Sequence, residues 1–136
     1  MASVVFDKHD IYPFIEHHIA LLERLNLQDE SPFALIYFSL HDRPKVDYAT
    51  MLQKILRKTD ALFQDNTNFV VVLCGTDWNG ATEVLAGVQE FLGQPAHDTI
   101  VTYPEDGKEA KKLIHALFAK VDETQNIEVG MLKLHQ

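Results

Sequence analysis

The chain has 136 residues, 46% of them hydrophobic, a formal net charge of −8 and one cysteine, Cys74. That suits a single domain, residues 1–136, with one core and no internal disulfide, in a reducing and so cytoplasmic compartment. The acidic balance argues against nucleic acid and anionic membrane surfaces, both of which call for clustered Lys and Arg.

No apolar run approaches a membrane span, and residues 1–8 lack the basic-then-apolar pattern of a signal peptide. Asp10 opens a helix with Phe14, Ile15, His18, Leu21, Leu22 and Leu25 facing inward and Pro13 in its first turn. Asp29-Glu30-Ser31-Pro32 breaks that pattern. Phe33 to Leu40 is short and almost continuously apolar, the mark of a buried strand. His41-Asp42-Arg43-Pro44 is a loop. Tyr48, Met51, Leu52, Ile55 and Leu56 then follow helical spacing, with Lys54, Arg57 and Lys58 opposite. Ala61-Leu62-Phe63 and Phe69 to Cys74 flank the turn-forming Asp65-Asn66-Thr67-Asn68, which predicts a β-hairpin.

Thr76 or Asp77 caps the next helix, whose inner face is Ala81, Val84, Leu85, Val88 and Leu92, with Gly93 as its stop. Thr99 to Tyr103 is a strand. Asp106 and Glu109 have capping-box spacing before a helix carrying Ala110, Leu113, Ile114, Leu117, Phe118 and Val121. Ile127 to Leu134 reads as a last strand. The order from Phe33 to Tyr103 is the ferredoxin-like βαββαβ arrangement. An α+β fold is expected: a mainly antiparallel sheet with helices on one face, an extra N-terminal helix, and a C-terminal helix and strand.

The stretch Thr102-Tyr103-Pro104-Glu105-Asp106-Gly107-Lys108-Glu109-Ala110, then Leu113-Ile114 and Ala119-Lys120, resembles the late strand, turn and last helix of the GGDEF family. Phe14 to Leu25, Phe33 to Leu40 and the hairpin Phe63 to Leu73 sit where that family's early helix, first core strand and signature hairpin belong. The resemblance covers about residues 10–126 and implies a nucleotide-cyclase-like fold. Catalytic members make cyclic di-GMP from two GTP. Their hairpin tip reads Gly-Gly-Asp/Glu-Glu-Phe; this chain, aligned on the phenylalanine, reads Asp65-Asn66-Thr67-Asn68-Phe69. The family's glycines admit the nucleotide closely and its acids hold Mg²⁺, a hard ion that needs oxygen ligands. Neutral Thr67 and Asn68 do not supply that charge. The family's first strand also ends in an acid, where this chain has Ser39-Leu40-His41. The resemblance therefore implies a degenerate domain with no catalytic residue and no resident metal or cofactor, working by contact with another protein in signalling or regulation. A shifted register pairing Asp42 with Asp65 would rebuild part of a metal site, but solvated turn aspartates are the better reading.

Arg57-Lys58-Thr59-Asp60 matches the Arg-x-x-Asp pattern with which the family's inhibitory site grips cyclic di-GMP, although four residues rather than the usual five separate it from the hairpin motif. Binding of cyclic di-GMP or GTP without turnover is thus one alternative; helix-end cations and a turn aspartate are the plainer reading. The seven histidines show no paired metal-binding spacing. Cys74 reads as a buried, unactivated thiol, and Ser39 sits in no nucleophile motif. Gly75 to Gly80 lacks the lysine and spacing of a phosphate loop, and Trp78 within it is a packing residue or a partner anchor. An unrelated receiver-like α/β domain would need an acidic cluster after its first strand, which Tyr37 to Leu40 does not offer. The first helix is the candidate element for a homodimer.

Overall fold

The computed structural model describes residues 4–39, 48–65, 68–92 and 97–125. Five strands form one sheet: β1 (Val4–Asp7), β2 (Phe33–Ser39), β3 (Ala61–Asp65), β4 (Asn68–Cys74) and β5 (His97–Tyr103). Their order across the sheet is β1-β3-β4-β2-β5. β1 runs parallel to β3, and every other neighbouring pair is antiparallel. β2 to β5 thus make the expected ferredoxin-like core. The four-residue β1 is an addition the sequence reading missed, because its partner lies more than fifty positions along the chain. The expected strand at 127–134 and the stop at Gly93 lie outside the described residues.

Four helices cover the sheet: α1 (Ile11–Arg24), α2 (Tyr48–Ile55), α3 (Trp78–Leu92) and α4 (Ala110–Gln125). They pack on both faces, not one. Phe33, Leu35, Tyr37, Phe63, Val70, Val72 and Tyr103 face α1 and α4; Ala34, Ile36, Phe38, Leu62, Phe69, Val71 and Leu73 face α2 and α3. Central strands buried on both sides lose the polar alternation of a half-solvated sheet, which is why β2 and β4 read as continuous apolar runs.

α1 differs from the expected face. Its buried residues are Ile11, Ile15, Ile19 and Leu22, with Phe14 and His18 partly buried, while Leu21 and Leu25 are exposed. A 3-10 turn, Lys8–Asp10, leads into it, and Asp10 makes no side-chain cap. Packing fixes the helix instead: the Phe6 ring lies 5.5 Å from Phe14 and 5.2 Å from Phe63, and His18 meets the Phe33 ring at 4.9 Å. The helix ends before the Asp29–Pro32 break. Asn26 adopts a left-handed φ of 55°, Asn26 N–H donates to the Glu23 carbonyl and Leu27 N–H to that of Leu22, a Schellman stop.

α3 is capped by Asp77, whose Oδ1 accepts from Gly80 N–H at 2.9 Å. Asp106 does not cap α4, which begins later, at Ala110. Its Oδ2 turns back to accept Thr102 N–H at 2.8 Å, closing the β5 turn, and Lys120 on α4 reaches Asp106 at 3.6 Å.

Candidate functional site

Two regions hold the residues singled out by sequence. The first is the end of the sheet where β2 stops and the β3–β4 hairpin turns. The register puts Ser39 opposite Asn68, and Asn68 opposite Asp65. The end of β2 and the β3–β4 hairpin therefore meet. Asn66 and Thr67, the two residues between β3 and β4, and the segment 40–47 that contains His41 and Asp42, lie outside the described residues. Phe69 is fully buried, its ring 5.6 Å from that of Phe38. Asn68 is turned toward the sheet: the hydroxyl of buried Tyr37 donates to its Oδ1 at 3.0 Å. The sequence reading gave Tyr37 no part in the site because nothing local links it to a residue 31 positions later.

The second region is the α2–β3 connection. Asp60 is only 3% exposed, and burying a carboxylate is costly unless it is paired and hydrogen-bonded. Arg57 supplies the pairing. Its Nη2 reaches Asp60 Oδ1 at 2.9 Å, its Nε reaches Oδ2 at 3.2 Å, and its backbone N–H also donates to Oδ2 at 2.9 Å. The same Nη2 donates to the Cys74 carbonyl at 2.8 Å and to Thr76 Oγ1 at 2.9 Å. One guanidinium thus ties the end of α2 to the start of β3 and to the exit of β4. The hydrogen bond to Asp60 raises the Arg57 pKa, against the smaller opposing effect of burial. The Arg57 side chain as a whole is still 56% exposed.

The remaining candidates are scattered. His9, His17 and His115 are exposed, and His18 Nε2 is buried without a hydrogen-bond partner. Among the described residues no three His, Cys, Asp or Glu side chains converge on a metal-sized site. Cys74 is half-buried, and desolvation pushes its thiol pKa up, which disfavours the thiolate. Trp78 stands 54% exposed at the first turn of α3. No helix among the described residues is long and apolar enough to cross a membrane.

No family model matches the sequence, and no curated protein matches it either. Solved structures do match in fold. A sensory box/GGDEF family protein from Caulobacter crescentus superposes with a TM-score of 0.69 at 17% identity, covering 91% of this chain and 95% of that one. The GGDEF domain of PA1120 (TpbB or YfiN) from Pseudomonas aeruginosa gives 0.69 at 14%, covering 88% and 86%. A DGC protein from Thermotoga maritima gives 0.64 at 14%, covering 85% and 94%. At such identities the likeness shows the fold: this chain has the mixed α+β architecture of GGDEF domains.

Proposed function

We propose that this chain is a GGDEF-fold domain without cyclase activity, acting in the cytoplasm through contact with another protein in a signalling or regulatory assembly. The observation that carries the reading is the meeting of Ser39 with Asn68 at the end of the sheet. Two-metal phosphoryl chemistry needs carboxylates there. At these two register positions the chain carries Ser39 and Asn68, neither of them acidic, and the Tyr37 hydroxyl donates to the Asn68 amide oxygen. Calorimetry tests the loss of the site. GTP titrated with and without Mn²⁺ gives no metal-dependent heat if the reading is right; metal-dependent GTP binding contradicts it.

A second reading is supported by the half-exposed Arg57 side chain: cyclic di-GMP or GTP held without turnover, with the guanidinium on a phosphate or a guanine face. Asp60 weakens it, since both carboxylate oxygens are engaged by Arg57 in a buried setting. Titration with cyclic di-GMP separates the two. Binding that disappears in Arg57→Ala supports the receptor, and absence of heat at tens of micromolar ligand removes it.

A further inference from the structure

At the end of the sheet opposite the hairpin, a cavity of about 270 Å³ opens between the end of α1 and the turn after β5. Glu23, Gln28, Asp29, Tyr103, Pro104 and Lys108 line it. The chain around it, residues 11–33 and 103–113, belongs to the described residues throughout. Tyr103 is 2% exposed, its ring stacked on Phe33 at 4.8 Å. A buried phenol ordinarily finds a hydrogen-bond partner, yet among the described residues this hydroxyl has none. It reaches the cavity beside Glu23 and Asp29: burial, then those two carboxylates, raises its pKa.

Glu23 and Asp29 are exposed, and among the described residues neither carboxylate forms an ion pair. The cavity thus holds two unpaired carboxylates, an amide and an unpartnered hydroxyl against one cation, Lys108. Glu23 and Lys108 also line a second cavity, of about 330 Å³, that continues along α1 toward Tyr12. Ile19, Ala20 and Ala110 give it an apolar wall, and Glu16 lies farther along the helix.

We propose that these two cavities bind an extended basic segment of a partner protein, with an arginine guanidinium set against Glu23, Asp29 and the Tyr103 hydroxyl. A guanidinium carries five donors in a planar fork that matches carboxylate geometry. The first cavity is smaller than the roughly 300–1,000 Å³ of sites for drug-sized ligands, which suits one side-chain head. Two carboxylates fall short of the oxygen set of a Ca²⁺ site. Glu16 lies two helical turns from Glu23, about 10.5 Å. An extended chain spans that in about three residues, so a second cation three positions along the segment reaches Glu16. The net charge of −8 draws such a segment in. The inference rests on the reading of the chain as a protein-contact domain and specifies the chemistry of the partner.

The probe is an Arg-Ala-Ala-Arg peptide blocked at both ends, titrated into the isotope-labelled full chain and followed by NMR. Saturable shifts are expected at the Glu23, Asp29 and Lys108 amides, with a Kd below about 1 mM. The counterpart with citrulline for arginine keeps the shape, loses the charge and should not bind. Glu23→Gln/Asp29→Asn should weaken binding at least about tenfold. Lys108→Gln removes the opposing cation and should tighten it. Tyr103→Phe should weaken binding about threefold yet leave the melting temperature unchanged, because the hydroxyl has no bond in the fold to lose. The spectra themselves show whether each variant folds. No saturable shift, equal binding of the citrulline peptide, indifference to Glu23→Gln/Asp29→Asn, or weaker binding in Lys108→Gln overturns the site. Free arginine binding as tightly as the peptide overturns the partner segment in favour of a small molecule, and Ca²⁺ displacing the peptide overturns it in favour of a metal. Cyclic di-GMP formation from GTP by the same preparation would instead overturn the non-catalytic reading, whatever the peptide does.

Discussion

Arg57 and Asp60 show how a residue pair can look like a ligand site and still be needed by the fold. With Arg57 removed, a carboxylate that is 3% exposed loses its only described guanidinium partner. Breaking a buried pair costs about 3–5 kcal/mol, but half of Arg57 faces water and screens the interaction. Arg57→Ala is accordingly expected to lower unfolding stability by about 2 kcal/mol. Arg57→Lys should recover little of it, because one ammonium does not reproduce the planar fork. Urea denaturation measures both. His18 gives a second prediction at this scale. Its ring packs on Phe33, Nε2 has no partner, and burial, reinforced by neighbouring His17, holds its pKa below 6.5. A base whose folded pKa lies below its unfolded value binds protons more readily when unfolded. The stability it allows is complete above pH 6.5 and is lost as pH falls through the depressed folded value. His18→Leu should flatten that acid-side loss in unfolding curves taken at successive pH values, whereas a substitution at exposed His17 should leave most of it.

Among the elements, the entrance to α3 is the tightest. A Cβ on Gly80 would meet Thr76 Cγ2 at 2.8 Å, and Thr76 is held in place by Arg57 and by its own bond to the Cys74 carbonyl at 3.2 Å. Gly80→Ala should therefore destabilise the protein, although the same change at a free helix position stabilises by about 0.5–1 kcal/mol. At Gly87, where an added Cβ would meet no described atom within 4 Å, the identical substitution should raise the melting temperature. Differential scanning calorimetry on the two variants at low concentration compares the signs directly. The end of α1 carries the opposite expectation. Asn26 already tolerates its left-handed φ, and Asn26→Gly should change stability by only a few tenths of a kcal/mol. The helices were legible from their spacing, but their ends were not. Asp10, Asp106 and Glu109 have the composition of caps, yet only Asp77 makes the expected side-chain cap bond, because chain direction and tertiary partners decide which acid faces a free N–H.

For the whole molecule, the four core strands and four helices could be read from apolar runs and 3.6-residue periodicity. β1 and the two-sided packing could not be read so simply. A four-residue strand carries almost no periodic signal, and its parallel partner β3 is remote in sequence. The two-sided packing was present in the unbroken apolar run of β2, which marks a strand covered on both faces. Where two of the candidate residues fall was legible, since Ser39 and Asn68 sit opposite each other at the end of the sheet. The bond that occupies Asn68 was not, since it depends on the register that brings Tyr37 beside it. The central claim, a retained cyclase-like fold without the chemistry, is tested most directly by turnover. Purified protein is held with GTP and either Mg²⁺ or Mn²⁺, and the products are separated by chromatography and identified by mass. The account predicts no cyclic di-GMP above a protein-free control at any time point. Product that accumulates with time and in proportion to protein concentration would contradict it.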